Sequence, residues 1–336
     1  MMSQHEFEVQ LGTFEGNDSA RMRFFENPNP IYASANIEYV ELKMNWNESN
    51  SLMDVLHKAI SKTKWVKATL VGRLGNQLFI TASSYGIAKA RNAKWCIEPL
   101  HNPWMNLEEK VEWIEEPEEC PSSMEIKYIN ENGKFASFVE NMVYDYIDEN
   151  VHVGTYLNSF KYWNTIVPFK LIKKEWGAQW TREHNVKVGI HIRRTDYYSI
   201  PEYRKNLPPD VYYEFGIQYI MNMTNHSIPK ESFWVTSDDM DWVRSKSVFH
   251  GMQLSTFAEA DEVINSLNAC MHMISSSGSF SWWSMYMMPP SPEDKRIQLY
   301  YYHEDYLFMP GDITLGDYFP AYWTGVEVKD NRAMVV

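Results

Sequence analysis

The sequence predicts an α/β protein built from two Rossmann-like domains. Two series of strand-like apolar runs alternating with helical patterns support this fold class, one beginning at Trp65 and the other at Val186. An acidic, irregular stretch over residues 101–150, broken by prolines, separates the two series. The chain of 336 residues also exceeds the roughly 250–300 residues at which single cores stop growing. Such alternation is typical of parallel sheets flanked by helices, which bind ligands beyond the carboxyl ends of their strands.

The first series predicts one βαβ unit after a polar start. Residues 1–60 are rich in Asn and charge, which predicts a tail or stem ending in one short helix over SLMDVLHKAI. WVKATLV then predicts a strand, a glycine turn follows, and AKWCI predicts a second strand. Between these strands one helical face is predicted by the spacing of Leu78, Ala82, Tyr85 and Lys89.

The second series follows an aromatic segment, HVGTYLNSFKYWNTI, and an amphipathic stretch, LIKKEWGAQW. Its predicted strands are VKVGIHI, SFWVTS and MHMIS, and its predicted helices are PPDVYYEFGIQYIMNM, DDMDWVRSK, AEADEVINSLNAC and FSWWSMYMM. Trp282 and Trp283 continue the apolar pattern of the last helix, so we expect them in the core. With a boundary near residues 175–185, the expected organisation is a tail over 1–60 and domains over 61–180 and 181–336.

Composition limits the classes of partner. With 31 basic and 44 acidic residues the net charge is −13, which opposes binding to nucleic acid or to an anionic membrane unless basic residues are concentrated locally. An anionic ligand therefore needs its own arginines. No run approaches the ~18 apolar residues of a membrane helix, and residues 1–50 lack a signal-peptide pattern. We expect a soluble protein, or a luminal piece whose anchor is absent.

Cysteines and sequons leave the compartment open. Cys96, Cys120 and Cys270 contain no C-x-x-C pair, so neither a zinc cluster nor a disulfide framework can be read, and one disulfide with one free thiol remains an alternative. The tripeptide Asn-x-Ser/Thr, the acceptor pattern for N-glycosylation, begins at Asn17, Asn47, Asn222 and Asn225. These tripeptides hint at a secreted compartment, but they also arise by chance in a chain of this length.

The glycine turn GRLGNQLF joins the first predicted strand to its helix. Helix N-termini favour anions, which suggests a phosphate, yet the turn matches neither G-x-G-x-x-G nor the P-loop pattern. A tight turn with amides that cap a helix is the competing interpretation.

The most specific motif is VGIHIRRTDY, residues 188–197, where an apolar strand ends in His-x-Arg-Arg-x-Asp. If the chain is still extended there, strand alternation puts His191 and Arg193 on one face and Arg194 on the other. A guanidinium forks onto a phosphate through two N–H donors, so one arginine can bind a diphosphate while the other serves the scaffold. A purely structural Arg–Asp pair is the alternative.

Two further motifs follow predicted strands. In WVTSDDMDW, Asp239 and Asp241 form a D-x-D that can hold a divalent metal, but aspartates in a first helical turn also cap it, and we favour the cap. A carboxylate there could also accept hydrogen bonds from a guanine edge. ISSSGSFSWWSMYM supplies hydroxyls and N–H groups at a helix start, which predicts a second phosphate cradle. The ten histidines form no H-E-x-x-H, so catalytic zinc is not expected.

GRLGNQLF, HIRRTDY, SDDMDW and SSSGSFSWW, in this order, closely resemble the α-1,2-fucosyltransferase family, whose members transfer fucose from GDP-fucose to a galactose of a glycan. The resemblance runs from about residue 65 to 325 and includes GTYLNSFKYW. The H-x-R-R-x-D element is shared with α-1,6-fucosyltransferases and, more loosely, with protein O-fucosyltransferases. The donor is therefore better defined than the acceptor.

The resemblance implies a GT-B-like fold, with two Rossmann-like domains facing a cleft and the donor bound mainly by the C-terminal one. Arg193 matches the essential donor arginine, with His191 and Asn76 as its expected catalytic companions, and Asp196 matches the acidic residue that holds this loop. The remaining expected donor contacts are Arg194, Gly75, Ser237, Asp238, Asp239, Ser277, Ser279 and Phe280. Ser279 stands where Thr is frequent, which keeps the hydroxyl.

The resemblance also implies an inverting transfer without metal or other cofactor. The expected acceptor is a galactose-terminated glycan on a glycoprotein or glycolipid, and the expected location is the Golgi, with membrane contact only through an anchor that this chain lacks. A fucosyltransferase of another linkage and a non-catalytic glycan- or nucleotide-binding relative are the alternatives.

Overall fold

The computed structural model of the protein describes residues 19–22, 40–43, 64–99, 107, 110–122, 124–130, 136–144, 149–154, 156–163, 166–172, 174–288, 296–303 and 314–336. The chain divides into two compact units, residues 1–62 and 63–336. In the first unit, strands β1 (Ser19–Met22) and β2 (Val40–Lys43) pair antiparallel. The predicted helix over 51–60 and the sequons at Asn17 and Asn47 lie outside the described residues. The predicted division of residues 61–336 at position 180 stays a prediction.

The first predicted series forms a small parallel sheet. Its strands, with those of a separate antiparallel pair, are β3 (Trp65–Leu70), β4 (Lys94–Pro99), β5 (Val111–Trp113), β6 (Lys127–Ile129), β7 (Val151–Val153) and β8 (Phe169–Leu171). The sheet order is β4-β3-β7-β6, all parallel, and β5 pairs with β8. The helices of this region are α1 (Leu74–Ala90), α2 (Asn141–Tyr144) and α3 (Lys174–Glu183). The predicted βαβ unit, β3–α1–β4, is confirmed.

Helix α1 is buried on nearly every side, so the predicted face at Leu78, Ala82 and Tyr85 is buried but is only part of the buried surface, and Lys89 of that face is exposed. Leu78 and Ala82 of that face are buried, but so are Phe79, Ile80 and Ser83, which point elsewhere. The helix packs between β3 and the helix over Ser279–Tyr286 of the second series, and its many Ala, Ser and Gly residues permit close approach. A helix enclosed in this way has no reason to show the periodicity of a surface helix.

The second series forms a larger sheet with strands β9 (Val188–Ile192), β10 (Phe233–Ser237), β11 (Gln253–Leu254), β12 (His272–Ser275), β13 (Gln298–Tyr302), β14 (Thr324–Lys329) and β15 (Arg332–Val335). The order is β11-β10-β9-β12-β13-β14-β15, parallel except for β15. This is the Rossmann order with one added antiparallel edge strand. Its helices are α4 (Thr195–Ser199), α5 (Asp210–Met223), α6 (Met240–Arg244), α7 (Ala260–Asn268), α8 (Ser279–Tyr286) and α9 (Leu315–Tyr318). All the predicted strands and helices of this series are confirmed.

An aromatic cluster joins the two sheets. The Phe79 ring of α1 lies 4.5 Å from Trp282 and 5.3 Å from Trp283 of α8, and 5.7 Å from Trp163. Trp282 and Trp283 are 2% and 0% exposed, which confirms their predicted place in the core. Because α1 and α8 are held together by this cluster, the starts of the two helices are held in fixed positions.

The predicted α/β class with two Rossmann-like sheets is thus confirmed. A disulfide joins Cys96 to Cys120, and Cys270 is a buried free thiol. Within the described residues, no helix combines the length and the apolar character needed to cross a bilayer.

Candidate active site

The candidate site lies at the carboxyl ends of β9 and β12, where the strand order of the larger sheet reverses. β9 and β12 are neighbours, β10 continues on one side and β13 on the other. In open α/β sheets, ligands bind at this switch point. The loops that follow β9 and β12 are the H-x-R-R-x-D and serine-rich motifs, so the topology brings two of the predicted motifs together.

The glycine turn of the smaller sheet meets the serine-rich motif at the starts of α1 and α8. Ser279 Oγ donates to Asn76 Oδ1 at 2.6 Å, and a Cβ on Gly75 would lie 2.5 Å from the backbone nitrogen of Phe280. Gly72 has φ +75°, and a Cβ there would lie 2.5 Å from Asn76 Nδ2. The glycines are therefore required for the turn and for the contact between the two helices. Asn76 points to α8, and its predicted role toward a ligand stays a prediction.

Arg193 is held between two carboxylates. Its Nη2 lies 2.5 Å from Asp196 Oδ2, and its Nη1 lies 2.7 Å from Asp238 Oδ2. Its backbone N–H donates to Ser276 Oγ at 3.0 Å, which ties the end of β9 to the end of β12. The guanidinium is partly buried and fixed in orientation before any ligand arrives.

Arg194 faces a different set of groups, although β9 ends at Ile192 and the Arg194 backbone, with φ −139° and ψ −50°, is not extended. Its Nε donates to Asp239 Oδ2 at 3.2 Å, and its guanidinium carbon lies 4.1 Å from the centroid of the Trp242 ring. An ion pair combined with a cation–π contact holds this side chain against α6. Arg194 thus contacts the scaffold, whereas Arg193 lies with Asp196 and Asp238.

His191 lies behind Arg193 and is buried. Its Nδ1 is 2.6 Å from Ser281 Oγ, and its ring centroid is 5.0 Å from that of Phe280. Burial lowers the pKa of His191 to about 4, with the charge of Arg193 acting in the same direction and Asp238 opposing it. The imidazole is therefore neutral at neutral pH.

The aspartates after β10 act as local hydrogen-bond acceptors. Asp239 Oδ1 accepts from the backbone N–H of Trp242 at 3.1 Å, so the favoured cap interpretation is confirmed. Asp241 pairs with Arg244 instead. Asp238 accepts from the backbone N–H groups of Arg194 at 2.7 Å and Thr195 at 3.3 Å. Among the described residues, no group of three or more His, Cys, Asp or Glu side chains is arranged to hold a metal.

Most serine hydroxyls of the predicted cradle bond to protein groups. Ser277 Oγ is buried and donates to the carbonyl of Asn206, and Ser237 Oγ accepts from the backbone N–H of Asp239 at 2.9 Å. Ser279 is half-buried and donates to Asn76. Ser277 of the predicted cradle thus connects two loops, Ser237 lies outside that cradle, and the predicted role of the cradle toward a phosphate stays a prediction.

Sequence reasoning missed Arg73. Its side chain is 63% exposed, and its Nη1 lies 3.6 Å from Asp196 Oδ2, the same oxygen that pairs with Arg193. The sequence signal that could have indicated Arg73 was the presence of an arginine inside the glycine turn GRLGNQLF. It could be recognised only once that turn was known to meet the loop after β9.

Comparisons with known proteins found a matching family model, one curated relative and several solved structures. The model of glycosyl transferase family 11 matches residues 174–291. An alpha-1,2-colitosyltransferase of Escherichia coli is 35% identical over 108 residues, which span 30% of this chain and 36% of that enzyme. The match thus covers about a third of the curated relative.

Solved structures with lower identity are also similar. POFUT1 in complex with GDP shows 12% identity and a TM-score of 0.46, covering 71% of this chain and 98% of that one. The fucosyltransferase NodZ from Bradyrhizobium shows 11% identity and a TM-score of 0.46, covering 82% of this chain and 99% of that one. The H-x-R-R-x-D loop, the β10 loop and the start of α8 all fall inside the stretch matched by the family model. The stretch that is similar to the family 11 model therefore contains the charged loops of the candidate site.

Proposed function

We propose that the chain is a fucosyltransferase that moves fucose from GDP-fucose to the 2-hydroxyl of a galactose on a glycan, with inversion and without a metal. The observation that supports this most is the meeting of the glycine turn, the H-x-R-R-x-D loop and the serine-rich helix start at one switch point. The family 11 segment supports a glycosyltransferase, and the α-1,2 linkage in the relative's name supports this linkage.

In the proposed reaction the acceptor oxygen attacks the anomeric carbon from the face opposite the diphosphate. The bond between that carbon and the phosphate oxygen breaks, its electron pair stays on GDP, and the acceptor hydroxyl releases its proton to water. Negative charge thus grows on the leaving diphosphate. A fixed guanidinium near that phosphate lowers the barrier without having to reorganise.

Arg193 is the group we assign to the diphosphate. Asp196 and Asp238 fix its plane, and its permanent charge stabilises the developing anion. His191 is neutral at neutral pH, since burial lowers its pKa to about 4, so we assign it to positioning the loop. Asn76, hydrogen-bonded to Ser279, fixes the smaller sheet against the donor half. We assign no catalytic base.

The proposed acceptor is a galactose-terminated glycan on a glycoprotein or glycolipid, and the proposed location is the Golgi. The Cys96–Cys120 disulfide supports an oxidising compartment. A second candidate activity, transfer of colitose, is favoured by the name of the Escherichia coli relative.

One experiment tests turnover, donor and linkage together. The purified chain is incubated with the GDP derivative of fucose or of colitose and with galactose-terminated and GlcNAc-core acceptors, and products are analysed by mass spectrometry and NMR. We expect α-1,2-linked fucosyl-galactose. An α-1,6-linked or peptide-linked product would overturn the proposed linkage. A colitosyl product alone would overturn the proposed donor. Tight GDP binding without any product would favour a non-catalytic relative.

Two controls address nucleotide and metal. GDP should compete with the donor far better than UDP, and equal calorimetric affinities would remove the basis for naming GDP-fucose. Activity should persist in EDTA. Loss of turnover that Mg²⁺ or Mn²⁺ restores would overturn metal independence.

A further inference from the structure

The carboxylates around the H-x-R-R-x-D loop already occupy both of its arginines. Arg193 pairs with Asp196 and Asp238, and Arg194 pairs with Asp239. Three aspartates thus face two arginines, so these five side chains together carry a net negative charge. A diphosphate bound beside these side chains brings further negative charge, and it is repelled by the aspartates. The loop alone is therefore a poor anion site.

Arg73 supplies a further cation from the smaller sheet. Its Nη1 lies 3.6 Å from Asp196 Oδ2, within ion-pair distance but beyond an ordinary hydrogen bond. With 63% of its side chain exposed, the guanidinium can turn toward a ligand without being desolvated first. It neutralises the net charge of the loop.

The backbone of Arg73 is held in place although its side chain is exposed. Arg73 follows Gly72 and precedes the first turn of α1. Gly72 has a φ of +75°, and a Cβ on it would collide with the Asn76 side chain, so only glycine fits there. That turn is fixed by the Asn76–Ser279 hydrogen bond and by the contact of Gly75 with Phe280. The junction therefore presents Arg73 at a defined position next to the loop after β9.

We propose that Arg73 binds the diphosphate of the sugar nucleotide together with Arg193, a role that rests on the proposed function. A guanidinium can donate two parallel hydrogen bonds to phosphate oxygens. When Arg73 turns to the phosphate, Asp196 keeps its shorter contact with Arg193, so the loop stays in place. Donor binding then draws on both sheets, and the leaving diphosphate is held by two cations.

The competing interpretation is that Arg73 only ties the two sheets together through Asp196. An exposed ion pair at this distance adds little stability. A purely structural Arg73 would thus affect melting slightly and GDP affinity not at all, whereas a ligand contact would affect affinity strongly.

The test is calorimetric titration of GDP and of guanosine into the full chain and its variants. Arg73→Ala and Arg73→Gln should weaken GDP binding about 10- to 100-fold, the value of a charge-assisted hydrogen bond, and leave guanosine binding unchanged. Arg73→Lys should recover part of the loss, since it keeps the charge but not the planar fork. Arg182→Ala, which removes an exposed arginine from the end of α3, is the matched control and should bind GDP normally.

The outcomes separate the two proposals. If the unmodified chain fails to bind GDP, the proposed function and this role both fall. If it binds GDP and Arg73→Ala binds equally well, only the role of Arg73 is overturned. Equal losses for GDP and guanosine also overturn it. If Arg73→Ala unfolds at a lower temperature, the comparison of Arg73→Lys with Arg73→Gln replaces it. Lys keeps the positive charge and Gln does not, so a ligand contact predicts tighter GDP binding by Arg73→Lys, and equal GDP affinities would overturn the role of Arg73.

Discussion

The larger sheet and the smaller parallel sheet contribute different things to the candidate site. The larger sheet supplies most of its charged side chains, at the ends of β9 and β10. The smaller sheet supplies a glycine turn that approaches α8 within a distance no side chain would allow, with Asn76 and Arg73 on it. The larger sheet thus provides most of the charged groups, and the smaller one fixes a shape against it and adds the charge of Arg73.

The sheets also differ in how they are stabilised. β9 is buried along all five residues between neighbouring parallel strands, as is typical of a central strand in an α/β sheet. Strands β6 and β7 have three residues each, and the smaller sheet is reinforced by the Cys96–Cys120 disulfide and by the enclosed helix α1. Changes in the larger sheet's loops should therefore affect chemistry first, and changes in the smaller sheet should affect stability first.

The sharpest test compares the two neighbouring arginines. Arg193→Ala should lower kcat/KM by about 10² to 10⁴, because a charge-assisted pair to the developing diphosphate charge is lost, and Arg193→Lys should recover little of it. Arg194→Ala should lower the melting temperature at least as much as turnover, since Arg194 bonds to Asp239 and stacks on Trp242. Kinetics and melting curves of both variants check this. Near-normal turnover in Arg193→Ala with collapse only in Arg194→Ala would contradict the assignment.

The disulfide should matter to the stability of the smaller sheet. It closes a loop with a sequence separation of 24, so opening it should cost about 3 kcal/mol of unfolding free energy on the chain-entropy model. Denaturant unfolding with and without reductant measures this. The Cys96→Ala, Cys120→Ala double variant is the control, because it should be less stable in both conditions and insensitive to reductant. If reductant destabilised the double variant equally, the effect would not come from this bond.

Because α1 and α8 approach closely at Gly75, adding one methyl group there should lower stability. A Cβ on Gly75 would lie 2.5 Å from the backbone of Phe280, so Gly75→Ala should destabilise the protein by about 1–3 kcal/mol and impair turnover with it. Gly316→Ala is the matched control, since a Cβ there meets nothing within 4 Å. Thermal melting and activity of both variants test the contact. Equal melting temperatures would show that the junction can separate.

How far the sequence could predict the molecule follows the same division. The apolar strand before HIRRTDY and the core position of Trp282 were predictable, because each depends on a continuous apolar run. The enclosure of α1 was not, since a helix buried on every side has no periodic face to recognise. The Cys96–Cys120 pairing and the role of the turn at Gly75 depend on contacts between distant segments, which no local pattern encodes.

Two buried histidines predict how stability depends on pH. Burial lowers the pKa of His191 and of His272 to about 4, and His272 Nδ1 accepts the backbone N–H of Ile297 at 3.0 Å, which requires a neutral ring. In the unfolded chain their pKa returns to about 6.5, so between these values the unfolded state binds more protons and stability falls as pH decreases.

Each of these histidines should cost on the order of 1–2 kcal/mol between pH 7 and pH 5. Denaturant unfolding at a series of pH values measures the slope, and His191→Gln and His272→Gln should each flatten part of it. A slope unchanged in both variants would mean that other groups cause the acid sensitivity.

The smallest expected effect measures the junction itself. Ser279 Oγ donates to Asn76 Oδ1 at 2.6 Å, and this hydrogen bond joins a residue of α1 to one of α8. In a double-mutant cycle, Asn76→Ala and Ser279→Ala should be coupled by about 0.5–1.5 kcal/mol of unfolding free energy, because either change alone already removes the bond. Asn76→Ala with Ser284→Ala is the control cycle, since Ser284 donates to the carbonyl of Phe280 within α8 and should add independently. If Asn76 also contacts the donor, the coupling measured in GDP affinity should exceed that measured in stability. Additive effects in both measurements would mean that the two sheets are positioned by the aromatic cluster and the glycine contact alone.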